Sequence, residues 1–323
     1  MRIYAQHPQA QKILHLLTEV QSYFKTELIK ASNLISINTE FTPVEWLRDN
    51  GINGGGKRFE ALDGGLFNRA SINVSQIHYE NQTDKHYDSA TALSTIIHPS
   101  HPLAPSIHMH FSWTVLKDGS SYWRIMADLN PSHFDKDDKE YFDQTLKVAS
   151  KRYYSQGTKL GNQYFDIPAL NKRRGVSHFY LEGFNPIEED GLEFAHQFVT
   201  KVINTYTHIL CSHLVSATSP TEAQKQQQLD YHTLYFYQVL TLDKGTTAGL
   251  LVHNQNDVGT LGSLPSHINH DLLDTWQAGS PEPINALVLE LSKALPQQSI
   301  CSITSETKAK LAQTIREFYQ KKA

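Results

Sequence analysis

The sequence predicts an α+β fold, a large antiparallel sheet covered by helices in a single domain over residues 1–323. Three observations carry that prediction. An amphipathic helical pattern opens the chain, a series of strand-like segments with short connections follows, and helical periodicity resumes after Lys136. Short connections between neighbouring strands favour antiparallel pairing, because a parallel pair needs a long crossover.

In the N-terminal helix, placed within residues 1–32, Ile13, Leu16, Leu17, Val20, Phe24, Leu28 and Ile29 recur at spacings of three and four, which gives one buried face. Residues 51–58 are glycine-rich and read as a loop, able to cradle an anion through backbone N–H groups or simply mobile. They lack the GxxxxGK[ST] order of a nucleotide P-loop. Strand patterns follow at 65–79, 92–98, 107–116 and 122–129, the last two joined by an Asp118-Gly119 hairpin signal. In the 107–116 strand, Ile107, Met109 and Phe111 face one way, and His108, His110 and Ser112 the other. A strand face with two histidines is either solvated or a pocket wall.

Asp135 is placed to cap a helix over 136–153 with Phe142, Leu146 and Ala149 on one face. A strand at 177–184, a long apolar helix at 192–214, a polar exposed helix at 218–230, a strand at 232–241 and an amphipathic helix at 304–322 complete the reading. No internal repeat or low-complexity linker marks a domain boundary.

The composition excludes several classes. With 39% hydrophobic residues and 10% aromatics, the 323-residue chain can build a sizeable core. A net charge of −4 and a pI near 6.5 give no reason to expect nucleic acid or an anionic membrane as partner. No apolar run approaches the roughly 20 residues of a membrane span. The first residues lack the apolar stretch of a signal peptide, so the cytoplasm is the expected compartment. Two cysteines, Cys211 and Cys301, are too few for a disulfide scaffold or a four-cysteine zinc site. The 17 histidines form neither HExxH nor, with cysteine, any CxxC-type metal motif.

Several segments, in order, resemble the oxygen-dependent coproporphyrinogen III oxidase family. They are GGGKR at 54–58, FNRASINVS at 67–75, ALSTIIHPSHPLAPSIHMHFSW at 92–113, ADLNP at 127–131, DDKEYFDQTLKVAS at 137–150, RRGV at 173–176 and LDKGTTAGL at 242–250. The resemblance implies a flat antiparallel sheet between helix layers, with helices on both faces, in a homodimer. It implies oxidative decarboxylation of two propionate side chains of a reduced tetrapyrrole to vinyl groups, with oxygen as co-substrate and no organic cofactor. Asp128 matches the family aspartate, whose carboxylate would accept the pyrrole N–H groups at the centre of the macrocycle. The alternative is a turn aspartate capping the next segment.

His108 matches the family's proposed catalytic histidine, suited to general acid/base work; the alternative is a hydrogen-bonded structural histidine. Ser75 matches a substrate-contact position, and Asn73 shares its strand face. A divalent metal is not expected; if one binds, His98, His108 and Asp143 are its candidate ligands, with support of the Pro99 turn as the alternative role of His98.

The departures fall on charge. Where the family has an HMNxR-type sequence, His110 replaces the asparagine and Ser112 the arginine. Ala169 to Lys172 replace a His-Arg-x-Glu element, Ser177-His178 a glycine pair, Asn254 to Asn256 a Gly-Gly-Arg, and Asp143 a histidine. Coproporphyrinogen carries four carboxylates, so other cations must take over; Arg58, Arg69, Arg124, Lys172, Arg173 and Arg174 are the candidates, Arg174 foremost, with solvated surface charge as the alternative for each. His110 joins Ser75, Asn73 and Arg174 as an expected substrate contact. Two other functions stay open: a diverged enzyme acting on another tetrapyrrole or acid, and a non-catalytic tetrapyrrole or haem binder with His108, His110 or His178 on the iron.

Overall fold

The computed structural model describes residues 1–61, 64–186 and 190–321. The chain folds into two compact units, Met1–Tyr164 with Gly175–Thr218, and Phe165–Arg174 with Ser219–Ala323.

The first unit opens with helix α1 (Pro8–Leu34), which buries Ile13, Leu17, Phe24 and Leu28 as the three-and-four spacing requires. Strands β1 (Thr42–Leu47), β2 (Gly54–Ala61), β3 (Phe67–His78), β4 (Tyr87–Pro99), β5 (Ser106–Leu116) and β6 (Ser121–Asn130) follow, then helices α2 (Lys136–Ser150) and α3 (Tyr154–Tyr164). The short strands β7 (Asp166–Ile167) and β8 (Lys172–Arg173) belong to the second unit. Strand β9 (Ser177–Phe184) and helix α4 (Gly191–Val215) return to the first. Its sheet is seven-stranded and antiparallel throughout, in the order β1-β2-β3-β4-β5-β6-β9.

The 51–58 stretch is therefore not a loop: its second half is strand β2, paired on both sides. Glycine is tolerated there because of a close approach. A Cβ on Gly56 would lie 2.5 Å from the indole nitrogen of Trp46 and 2.7 Å from the Val74 carbonyl oxygen, so only glycine lets that ring lie on the strand.

One face of the sheet is the core. Ile72, Val74, Leu93, Ile107, Met109, Phe111, Ile125, Ala127 and Phe179 pack with α1, with Phe142 and Leu146 of α2, and with Phe194, Phe198 and Val202 of α4. Side chains of this size stabilise by about 1.5–3 kcal/mol each when fully buried. Helix α2 starts where the sequence places its cap: the Asp135 carboxylate accepts from the backbone N–H of Asp137 and Asp138. An Asp135→Ala variant should lose about 1 kcal/mol of stability, read as a lowered Tm.

Helices α2 and α4 are also joined by His213 Nε2 and Asp138 Oδ2 at 2.6 Å. That bond, more than the opposing burial, raises the His213 pKa above its ordinary 6.5. Folding is thus favoured by the charged imidazole fully below about pH 6.5, and the benefit fades as pH rises through the raised folded value. Thermal unfolding of a His213→Asn variant should lack that decline, a difference of at most about 1 kcal/mol.

The second unit carries α5 (Glu222–Thr241), α6 (Lys244–Val252), α7 (Asp257–Thr260), β10 (His267–Asn269), α8 (His270–Gly279), α9 (Ile284–Ala294), β11 (Ile300–Ser302) and α10 (Ser305–Gln320). Residues 232–241 are not a strand but the C-terminal half of α5. That helix starts with a Thr221–Gln224 capping box, and its end buries almost every side chain from Tyr231 to Thr241. A helix buried all round has no apolar stripe, so its aromatic and β-branched run imitates a central strand. The predicted C-terminal helix is α10; Lys322, the last residue of that prediction, lies outside the described residues.

Candidate active site

The sheet face opposite the core collects the polar residues, because side chains alternate and the register shifts lie outside the paired positions that form this face. Three cross-strand rows result. One runs Glu60, Ser71, Ile96, His108, Asp128, His178. The next runs Arg58, Asn73, Ser94, His110, Met126, Tyr180, and the third Gly56, Ser75, Ala92, Ser112, Arg124. Of the residues singled out in the sequence, His108, Asp128, His110, Asn73 and Ser75 share this face with Arg58, Ser112, Arg124 and His178.

At its centre, His108 Nδ1 and Asp128 Oδ1 are 2.8 Å apart. An ionised carboxylate can only accept, so Nδ1 carries the proton and Nε2 is the ring's acceptor. Asn130 Nδ2 donates to Asp128 Oδ2 at 2.6 Å and to its backbone carbonyl at 2.9 Å. Asn130 is itself held tightly: a Cβ on Gly175, whose φ is +81°, would lie 2.6 Å from the Asn130 side-chain oxygen. Gly175 is the glycine of the Arg-Gly motif, so that motif's glycine is required here by steric closeness to the carboxylate's partner.

Asp128 is fully buried, whereas the His108 side chain is 18% exposed. The imidazole is therefore the member of the pair that solvent reaches, and the carboxylate stands behind it. Direct acceptance of pyrrole N–H groups by Asp128, the role expected from the resemblance, needs a path past that ring.

His110 bonds Ser94 Oγ through Nδ1 at 2.9 Å. Burial, then the charge of Arg124, then His108 hold its pKa well below the ordinary 6.5, so it is neutral and does not replace a cation. Asn73 Oδ1 accepts from Trp46 Nε1 at 3.1 Å, and Ser75 is half-buried beside Gly56 and Ala92. His178 Nδ1 pairs with Asn162 Oδ1 of α3 at 2.8 Å. Arg58 is buried and ion-paired with Glu60.

The candidate metal ligands are not gathered. His98 is fully buried with Nδ1 2.8 Å from Ser106 Oγ, His108 faces Asp128, and Asp143 pairs with Lys139 on α2, in the helical layer over the other face. Among the described residues, the group of three donors close enough to share an ion is Asp135, Asp138 and His213, whose side chains already serve as helix cap and interhelical pair.

Arg174 lies in the second unit, 1% exposed, its guanidinium stacked on Phe165 at 4.4 Å and Tyr235 at 4.8 Å. Lys172 lies 5.3 Å from the Trp276 ring centre, and Arg173 pairs loosely with Asp166.

The sequence matches the family model of Coproporphyrinogen III oxidase over residues 13–294. The chain belongs to that family. Among curated relatives, the oxygen-dependent coproporphyrinogen-III oxidase, mitochondrial, of Mus musculus is 26% identical over 287 residues, 79% of this chain and 61% of the relative. The human protein of the same name is 25% identical, covering 77% of this chain and 59% of its own length. The oxygen-dependent coproporphyrinogen-III oxidase of Rickettsia akari is 25% identical and matched over 89% of its length. The chain spans about three fifths of the mouse relative. At a quarter identity to the mouse protein, this coproporphyrinogen oxidase family member carries the His108–Asp128 pair on its polar face, with His110, Ser112 and Arg124 around it.

Sequence reasoning did not pick out Asn130, Ser94, Tyr164 or Tyr180. Asn130 had a local signal, two residues from Asp128 in the same ADLNP segment; the tyrosines had none, since Tyr180 is placed by strand register and Tyr164 by the end of helix α3.

Proposed function

We propose that the protein is an oxygen-dependent coproporphyrinogen III oxidase of haem biosynthesis, converting two propionates of the substrate to vinyl groups. Each propionic acid side chain loses CO2 and two hydrogens; one O2 accepts the two electrons and two protons as H2O2, so no organic cofactor is needed. The observation that carries this reading is the hydrogen-bonded His108–Asp128 pair on the polar face of a family sheet.

His108 Nε2 is the contact group, positioned to take a proton from the substrate's pyrrole or side-chain atoms. Asp128 acts through it, fixing the tautomer and stabilising the imidazolium once the proton arrives, and Asn130 holds Asp128 in turn. Ser75, Asn73 and His110 line the surface on which the macrocycle lies. Among the described residues no helix is long and apolar enough to cross a membrane. We place the enzyme in the cytoplasm as a homodimer, independent of a divalent metal.

Aerobic incubation with chemically reduced coproporphyrinogen III, followed by mass analysis, tests the function. The expected product has lost both carboxyl groups and appears only with oxygen; unchanged substrate under both atmospheres would contradict the assignment.

A further inference from the structure

We infer that Arg124 is a carboxylate clamp of this site, gripping a propionate at the rim of the bound tetrapyrrole; the inference rests on the tetrapyrrole reading above.

Arg124 lies on the polar face of β6, four residues from Asp128, a separation of about 13 Å along the strand at the usual rise per residue. A macrocycle centred over His108 carries its acid side chains outward, and an arginine reaching inward closes such a span. Arg124 is directly paired with Ser112, the position where the family pattern expects an arginine. Side chains at directly paired positions start about 5 Å apart, so the cation has moved by one strand and stays on the same face.

The guanidinium is also held ready. Its central carbon lies 5.4 Å from the ring centre of Tyr180 and 5.9 Å from that of Tyr164, and Nη2 donates to Tyr164 Oη at 3.2 Å. The two tyrosine rings are adjacent, their centres 4.7 Å apart, so they form one aromatic shelf under the charge. A planar fork already ordered on such a shelf gives up little further rotamer freedom when it binds a carboxylate bidentately.

Neighbouring groups fit this assignment. His110, in the adjacent row, is neutral, and Arg58 is engaged by Glu60. Tyr180 donates its hydroxyl to Glu182.

The test is equilibrium binding of coproporphyrin III, the stable oxidised form with the same four propionates, by fluorescence titration. The protein should bind the tetra-acid about ten- to a hundredfold more tightly than a tetra(methylamide) of the same porphyrin. An Arg124→Met variant, which keeps the stem on the tyrosine shelf, should lose a similar factor for the tetra-acid and little for the amide. Moving the cation back across the strand, Ser112→Arg with Arg124→Ser, should restore most of the loss, which a merely structural role of Arg124 would not allow. Equal affinity for acid and amide in the unaltered protein overturns the clamp even if Arg124→Met fails to fold. Undiminished tetra-acid binding by a folded Arg124→Met overturns it too, leaving the tetrapyrrole reading intact. No binding of either porphyrin by the unaltered protein sinks both.

Discussion

A His108→Gln variant is expected to lose coproporphyrinogen turnover by on the order of 10²–10⁴-fold while unfolding at nearly the same temperature. The imidazole is 18% exposed and glutamine fills most of the space it leaves, so the exchange costs the fold little; what it removes is the proton acceptor of the face. Glutamine keeps a polar end near Asp128 and so avoids stranding a buried carboxylate, the main stability hazard of an alanine there. The loss should lie in kcat, with KM changing by only a few-fold. A variant with unaltered kcat would remove His108 from the chemistry.

An Asp128→Asn variant should lose a comparable factor by a different route. Asparagine is nearly isosteric and can still meet Asn130, but it presents either a carbonyl oxygen or an amide donor to His108 Nδ1. When the amide donates, the ring proton moves to Nε2 and the base faces the substrate in the wrong tautomer. When the carbonyl accepts, the tautomer survives but the imidazolium loses its counter-charge. Either way kcat falls, on the order of 10²–10⁴-fold, although Asp128 is fully buried. Activity should not return with the double replacement of His108 and Asp128, because the two act as one unit. Parallel kcat and pH–rate measurements on the two single variants and the double variant check this; multiplied rather than equal losses would mean independent roles.

Parity along β5 was legible because its period is two: Ile107, Met109 and Phe111 are in the core, and His108 and His110 face the other way. The bond between His108 and Asp128 was not legible from spacing, since it depends on the register across the Asp118-Gly119 hairpin; only the resemblance had joined the two residues. Two local readings failed for identifiable reasons. The 54–56 glycines look like a loop until the Trp46 ring is placed on Gly56. The second half of α5 looks like a strand because burial on every side erases the helical stripe. Charge was the least legible feature: Arg58 and Arg174 are buried rather than solvated, and Arg124 sits on a tyrosine shelf assembled from α3 and β9.

The most direct test of the His108–Asp128 account is a single-turnover oxygen pulse. The protein and its Asp128→Asn variant are each loaded anaerobically with coproporphyrinogen III, mixed with oxygenated buffer, and quenched at intervals for product analysis. The predicted result is decarboxylated product from the unaltered protein, with the variant binding substrate within a few-fold yet forming product on the order of 10²–10⁴-fold more slowly. Product formed at the same rate by both would show that the pair at the centre of the polar face is not where the chemistry happens.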